Sequence, residues 1–297
     1  MIEVLGTPAD TYFVEYIMSF VESAKVENNT TETIEYFNGK KMTSHTKYDY
    51  YDTDINKPIN VKTVSVKSSD NTVTETSYQY AHEKGNQLMI DKNMLAIPLE
   101  TSTTQTMGST TKTLSKTETI YPKTIAEITN NSSSLVLPLS VLSYDLQTNV
   151  PSTEATYDKY DSKGNIQQYT TRSGISTTVI WGYNKSQPIA KIEGAKLSDI
   201  AQSLIDNIVS ASDNDAQLGT DASEQSLVAA LDLFRNNSAL SGYQISTYTC
   251  DPLIGLRSIT PPSGIRELYK YDTANRLEKV IDVNGKVLKE YQYNYKN

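Results

Sequence analysis

The sequence predicts a mainly β protein: antiparallel β-hairpin repeats set side by side, with a small helical hairpin inserted among them. A tyrosine-bearing motif recurs, as Tyr248-Thr249-Cys250-Asp251, Tyr269-Lys270-Tyr271-Asp272 and Tyr291-Gln292-Tyr293-Asn294, about every 22 residues. An earlier copy runs from Tyr157-Asp158-Lys159-Tyr160-Asp161 to Trp181-Gly182-Tyr183-Asn184. A fixed period of this size marks units that stack on their neighbours. Between two copies the apolar residues switch to helical spacing, which predicts the insertion.

From the N-terminus, runs rich in Thr and Val predict strands over Tyr12 to Val21, Glu32 to Phe37, Lys41 to Tyr51, Ile59 to Lys67 and Thr72 to Tyr80. Turn clusters separate them at Asn28-Asn29, Asn38-Gly39, Asp52 to Pro58 and Ser68 to Asn71. Leu88, Met89 and Met94 are spaced for a short helix over Gly85 to Asn93, ended by Pro98. Leu99 to Pro122 reads as a long Thr-rich hairpin broken at Met107-Gly108-Ser109, because a flexible linker would carry runs of Gly and Pro. Thr124 to Tyr144 is expected to continue the meander through Leu135 to Leu139. The organisation is then residues 1–150 as a β meander of degenerate repeats, 151–194 as one repeat, 195–240 as the helical hairpin, and 241–297 as two C-terminal repeats.

In the last repeat Asp272-Thr273-Ala274-Asn275 is a turn, and Arg276 to Ile281 a strand carrying Leu277, Val280 and Ile281. Asn284-Gly285 predicts a hairpin turn with both residues at positive φ, and Val287 to Tyr293 returns. Two-residue spacing sets Tyr291 and Tyr293 on one face, where they are expected to stack on Tyr269 and Tyr271. The tyrosines read as structural rungs, and the count of 21 Tyr against 4 Phe and 1 Trp fits half-buried rings with one wet end.

In the insertion, Leu197, Ile200, Ala201, Leu204, Ile205 and Ile208 follow one helical stripe, and Leu227, Ala230, Leu231 and Phe234 a second. Asp221 and Glu224 are placed for a capping box. The stripes are expected to pack on each other and the adjacent sheet, with docking of a partner protein as the alternative. Asp213, Asp215, Gln217, Asp221 and Glu224 have the spacing of a calcium-binding loop. Leu218 stands where the sharp turn needs Gly, so a solvated acidic linker is the preferred reading and calcium the alternative.

Catalytic constellations are not found. His45 and His82 have no metal-ligand spacing, the glycines are scattered singly, and nothing selects one carboxylate pair from 35 acids. Cys250 cannot form an internal disulfide and reads as a small packed residue at a tyrosine position. A net charge of −8 disfavours nucleic acid and anionic membrane, and no run is apolar enough to span a bilayer. Hydrophobic content of 37% still allows a globular core. The start, Met1-Ile2-Glu3-Val4, has no basic flank and no signal-peptide core, so export cannot be read from it. The abrupt alternation of aromatic and polar residues over 11–22 suggests a piece cut from a longer protein, or a mature segment whose export signal lies elsewhere.

The pattern Tyr-x-Tyr-Asp-x-x-x-Arg-Leu, then Asp-x-x-Gly, then Tyr-x-Tyr, carried by Tyr269, Tyr271, Asp272, Arg276, Leu277, Gly285, Tyr291 and Tyr293, resembles the YD repeat of the Rhs family of bacterial surface and toxin-carrier proteins. Clear copies cover residues 157–184, with Tyr160, Asp161, Gly164, Trp181 and Tyr183, and 248–294, beginning at Tyr248 and Asp251. Looser ones include Tyr78-Gln79-Tyr80 and Tyr36-Phe37-Asn38-Gly39. The resemblance implies a long β-ribbon that coils into a strip or hollow shell. Asp251-Pro252-Leu253-Ile254-Gly255-Leu256 is similar to the boundary that precedes a toxic domain in such carriers, but here another repeat follows it. The expected function is a non-enzymatic structural or interaction segment of a secreted or cell-surface protein, without cofactor. Its expected partners are proteins: neighbouring repeats, secretion or surface machinery, or an enclosed effector. The alternatives are a shell fragment of a toxin carrier and a glycan-binding surface using exposed Tyr and Trp181.

Overall fold

The computed structural model describes residues 2–6, 12–16, 29–38, 40–51, 60–131 and 134–294. Strands β1 (Ile2–Gly6) and β2 (Tyr12–Tyr16) form a two-stranded sheet. The second sheet begins with β3 (Thr30–Phe37), β4 (Lys40–Tyr50), β5 (Val61–Lys67), β6 (Val73–Gln79), β7 (Glu100–Met107), β8 (Thr110–Ile120) and β9 (Ser140–Tyr144). It continues through β10 (Pro151–Tyr160), β11 (Ile166–Thr171), β12 (Ser176–Gly182), β13 (Gln187–Glu193), β14 (Gln244–Asp251), β15 (Gly255–Thr260), β16 (Glu267–Tyr271), β17 (Leu277–Asp282) and β18 (Val287–Glu290). All 16 strands lie in sequence order, each antiparallel to the one before it. The mainly β, hairpin-built fold expected from the period is therefore the observed one. Of the strand expected from Tyr12 to Val21, the part after Tyr16 lies outside the described residues, as does the turn expected from Asp52 to Pro58.

The turns differ from the expected Asn-Gly type. At Asp272 and at Asp282 the chain makes a five-residue loop: the Asp N–H donates to the carbonyl four residues on, and the residue three on donates back to the Asp carbonyl. Only the fourth residue is left-handed, Asn275 at φ 57° and Gly285 at φ 80°, whereas Asn284 keeps negative φ. This is a type I turn closed by a residue with positive φ, which also matches strand twist. Register shifts between Lys159 and Tyr160, Ile180 and Trp181, Thr249 and Cys250, and Lys270 and Tyr271 add a bulge just before each repeat aromatic or its equivalent. Bulges sharpen twist and re-aim the next side chain.

Helices cover two parts of the sheet. α1 (Gln87–Asp91) and α2 (Ile125–Asn131) belong to a small core in which Met89, Leu99, Ile128 and Val136 are buried. α2 replaces the continued strand expected from Thr124. Its start is fixed by Thr124, whose Oγ1 accepts from Glu127 N–H, and by Glu127, whose carboxylate accepts from Lys123 N–H. α3 (Gln202–Leu218) and α4 (Asp221–Arg235) form the expected helical hairpin, between β13 and β14. Those strands still pair directly, Lys191 opposite Ser246, so the insertion leaves the sheet continuous. The larger core lies beneath it: Ile180, Ile189, Ile192 and Ile245 from the sheet meet Ile208, Leu227, Leu231 and Phe234 from the helices. α4 is capped by Thr220 with Ser223, one residue earlier than the expected pair Asp221 and Glu224.

Candidate functional site

The repeat motif is a set of backbone anchors. Asp161 Oδ1 accepts from the N–H groups of Lys163 (2.8 Å) and Asn165 (3.0 Å), and its Oδ2 from the Asn165 amide (3.0 Å). Asp272 Oδ1 repeats this with Ala274 (2.8 Å) and Arg276 (3.0 Å), and Asp282 with Asn284 (2.8 Å) and Lys286 (2.9 Å). Asp251 holds Leu253 N–H in the same way at 3.0 Å. Gly164 occupies the left-handed position of its turn, as Gly285 does. In the last repeat Arg276 pairs with Asp272 at 2.7 Å and lies 4.6 Å from the centre of the Tyr293 ring. One guanidinium thereby links turn to rung.

The expected stacking of Tyr269 and Tyr271 on Tyr291 and Tyr293 is replaced by hydroxyl-to-backbone ties. Tyr271 donates to the Leu256 carbonyl (2.9 Å), Tyr293 to that of Leu277 (2.8 Å), Tyr160 to Pro138 (2.8 Å) and Tyr80 to Val61 (2.8 Å). Trp181 does the same through its indole N–H, to Ile166 at 2.8 Å. Each ring reaches back to an earlier segment and binds a carbonyl there. Tyr269 instead bonds Glu267 (3.2 Å), Tyr248 pairs with Ile259 inside the sheet, and Tyr291 is exposed. Ring pairs form elsewhere, Tyr51 with Tyr80 at 6.1 Å and Tyr157 with Tyr160 at 6.3 Å. Burial first, then neighbouring Tyr78, pushes the Tyr80 hydroxyl up to about 12.

Tyr183 departs most from its expected role. It begins a run of three non-glycine residues at positive φ, Tyr183 (51°), Asn184 (56°) and Lys185 (61°), a conformation L-residues avoid. α3 holds it: Ser212 Oγ accepts Tyr183 N–H (3.2 Å) and Asp213 Oδ1 accepts Asn184 N–H (2.7 Å). The ring, 2% exposed, donates its hydroxyl to Asp215 (3.3 Å) and accepts Cys250 N–H (2.8 Å). Burial raises its pKa, the Cys250 N–H opposes this, and Asp215 adds to the rise. Tyr183→Phe is expected to cost about 2 kcal/mol, since a buried N–H and a carboxylate oxygen both lose their partner. The shift of the urea midpoint measures it; no shift would remove Tyr183 as the latch between helices and sheet.

The calcium spacing does not fold into a loop. Asp213, Asp215 and Gln217 lie within α3, only Gly219 and Thr220 join the helices, and Asp221 and Glu224 lie in α4. Residues two apart on a helix point in different directions, so the five side chains do not converge. Asp215 is engaged by Tyr183 and Ser223, and Glu224 by Arg257 at 2.5 Å. Among the described residues no group of three or more His, Cys, Asp or Glu side chains is placed to hold a metal ion.

Other titratable groups are equally committed. Lys84 Nζ lies 2.9 Å from Glu100 and 2.6 Å from Glu118, and Tyr144 donates to Glu118 at 2.6 Å. That bond, with burial, raises the Tyr144 hydroxyl to about 12. Burial raises the Cys250 thiol to about 11, which keeps it protonated and unreactive. His45 lies in β4, and His82 in the turn after β6 with Nε2 enclosed and without a hydrogen-bond partner. Among the described residues no helix is long and apolar enough to cross a membrane.

The turn aspartates give the fold a pH signature. Burial of Asp161 opposes its charge, but the hydrogen bonds from Asn165 and Lys163 prevail and hold its pKa below the ordinary 3.8. Asp272 is lowered chiefly by the side-chain bond from Arg276 and then by Arg276 N–H. Their contribution is complete above the ordinary value and lost as pH falls through the depressed folded values. Thermal melts from pH 7 downward are expected to hold until about pH 4 and then drop, and Asp161→Asn to shrink the drop. An unchanged acid profile in that variant would remove Asp161 from the account.

Sequence reasoning missed Arg235. At the end of α4 its guanidinium donates to the carbonyls of Ile245, Thr260 (3.0 Å) and Pro261 (2.7 Å), clamping the helix to the ends of β14 and β15. Only its place in the last turn, where a cation suits the helix end, was visible beforehand.

No family model matches the chain, and no curated protein does. Among solved structures it is similar to the crystal structure of TcdB2-TccC3 without hypervariable C-terminal region, at 13% identity and TM-score 0.34, over 86% of this chain and 12% of that one. It is similar also to the crystal structure of TcdB2-TccC3-TEV, at 12% identity and TM-score 0.32, over 85% of this chain and 13% of that one. The chain thus spans only a small part of the length of either.

Proposed function

We propose that this chain is a non-enzymatic structural and interaction segment of a secreted or cell-surface YD-repeat (Rhs-like) protein, which presents or wraps a partner. The carrying observation is one continuous 16-strand meander in which, among the described residues, the outer strands β3 and β18 each pair on one side only, with Thr30 to Tyr36 and Val287 to Glu290 exposed. Such edges offer free N–H and C=O groups to a further strand, from adjoining repeats or a partner protein. The motif residues support the same reading, because their polar atoms are spent on turns and rungs. At low concentration the isolated chain is expected to associate, or to show fast amide exchange at both outer strands that slows when flanking repeats are appended. A dilute monomer with both edges protected would count against the proposal.

A second reading, a shell fragment of a toxin carrier enclosing an effector, is favoured by small polar pairs across strands β6–β8. Thr76, Thr103 and Ser115 lie opposite one another across β6–β8, and Thr101 lies opposite Thr117. Protease protection of a polypeptide co-expressed with the full-length protein would favour it over the open ribbon.

A further inference from the structure

The helical layer covers only part of the sheet. α3 packs chiefly on β12 and β13 and α4 on β14, so on the far side of α4 the next strands lie open. A trough of about 460 Å³ runs there, between α4 and β16, within the volume range of binding sites. Its floor is apolar: Val228 from α4, Leu268 from β16, and Val283, 62% exposed, in the turn after β17.

Three cations line the same trough, Arg257, Arg266 and Lys270. Arg257 uses only its Nη2, for Glu224 (2.5 Å) and Asp221 (3.4 Å), and so answers both acidic groups of the lining while keeping Nε and Nη1 free. Arg266 spends Nε on Thr260 and Nη2 on Asp232 (2.5 Å), which leaves Nη1. Lys270 is exposed and, among the described residues, has no acidic partner. It also stands directly opposite Lys279 on β17, an arrangement that like charges disfavour. Lys279 is relieved by Glu278 at 3.5 Å and by Glu290 opposite it on β18, whereas Lys270 is left for something else to neutralise.

The imbalance extends to the strands around the trough. Residues 255–290 carry 7 Lys and Arg against 5 Asp and Glu, although the whole chain has a net charge of −8. An anionic partner is repelled by most of this protein and drawn to this patch.

We infer that the trough docks an acidic amphipathic helix of a partner protein, laid beside α4 as a third member of the helical layer. Its apolar stripe rests on Val228, Leu268 and Val283, and its carboxylates pair with Lys270 and with the remaining donors of Arg257 and Arg266. A helix fits better than a strand, because the trough lies on a face of the sheet, where β16 already has both its neighbours. The inference rests on the partner-presenting reading above and names the chemistry of one partner.

Fluorescence anisotropy of a labelled helical peptide, with Glu and Leu on opposite stripes, is expected to show saturable binding to the full chain that weakens with salt. The same peptide with Lys in place of Glu is expected not to bind. Lys270→Glu and Val283→Asp are each expected to weaken binding about tenfold at unchanged urea midpoint. Lys112→Glu, the same charge change at an exposed site on β8, is expected to leave it unaltered. No saturable binding of the acidic peptide, equal binding of the basic one, or no greater loss in Lys270→Glu than in Lys112→Glu would each overturn the inference. β16 lies two strands inside the edge strand β18, so Lys270→Glu leaves strand addition intact. Amide exchange at β3 and β18 then tells failure of this site from failure of the edge-pairing proposal.

Discussion

Gly182→Ala is expected to lift the helical hairpin from the sheet. A Cβ at this position would stand 2.0 Å from Ser212 Oγ, 2.8 Å from Ser212 Cβ and 2.9 Å from Ile189 Cδ1. Ser212 is fully buried on α3 and holds Tyr183 N–H, so it cannot swing aside without releasing the left-handed turn. Overpacking of this kind costs about 3 kcal/mol. Here the contacts of Ile180 and Ile189 with Ile208 weaken as well, so urea unfolding is expected to shift by that amount. Pairing Gly182→Ala with Ser212→Gly removes the obstructing side chain and is expected to restore part of the stability. A neutral Gly182→Ala would show that α3 does not rest where it is placed.

Arg235→Ala is expected to cost a similar amount by a different route. Three carbonyls at the strand ends of β14 and β15 share one guanidinium, and its removal leaves them short of a donor in a half-buried place. About 3 kcal/mol follows from losing charge-assisted bonds and leaving acceptors unpaired. Arg235→Lys should recover only a fraction, because a single ammonium cannot fork to three carbonyls. Burial already works against the Arg235 charge, so the bonds, rather than the charge itself, stabilise the clamp. Amide exchange at Ile245 and Thr260, faster in Arg235→Ala than in Arg235→Lys, would locate the effect. If Lys serves as well as Arg, the forked geometry is irrelevant.

The period of the tyrosines was legible because each hairpin must repeat the same turn and return, and residues such as Asp272 and Gly285 are required locally. The helical insertion was legible for the same reason, since Leu227, Leu231 and Phe234 recur at helical spacing whatever lies beneath them. Less local features escaped. Turn type depends on loop length as well as on the Asn284-Gly285 pair, and the loop proved longer than that pair implied. Tyr183 looked like another rung because its neighbours spell the motif. Its left-handed backbone is imposed by Ser212 and Asp213, nearly thirty residues away. The calcium-like spacing was regular in sequence, yet helix geometry dispersed it. α2 was hidden by its Thr-rich surroundings, although Thr124 and Glu127 carried a start signal.

Because every strand of the larger sheet after β3 pairs with its immediate predecessor, most of that sheet can be laid down in the order in which the chain is synthesised. Each new hairpin needs only the one before it as template, so loop-closure entropy is met in small instalments. The main departure is late: β14 must wait for the helical hairpin to emerge before it meets β13. A pause in vectorial assembly is expected there, with half-formed ribbon waiting for its missing neighbour.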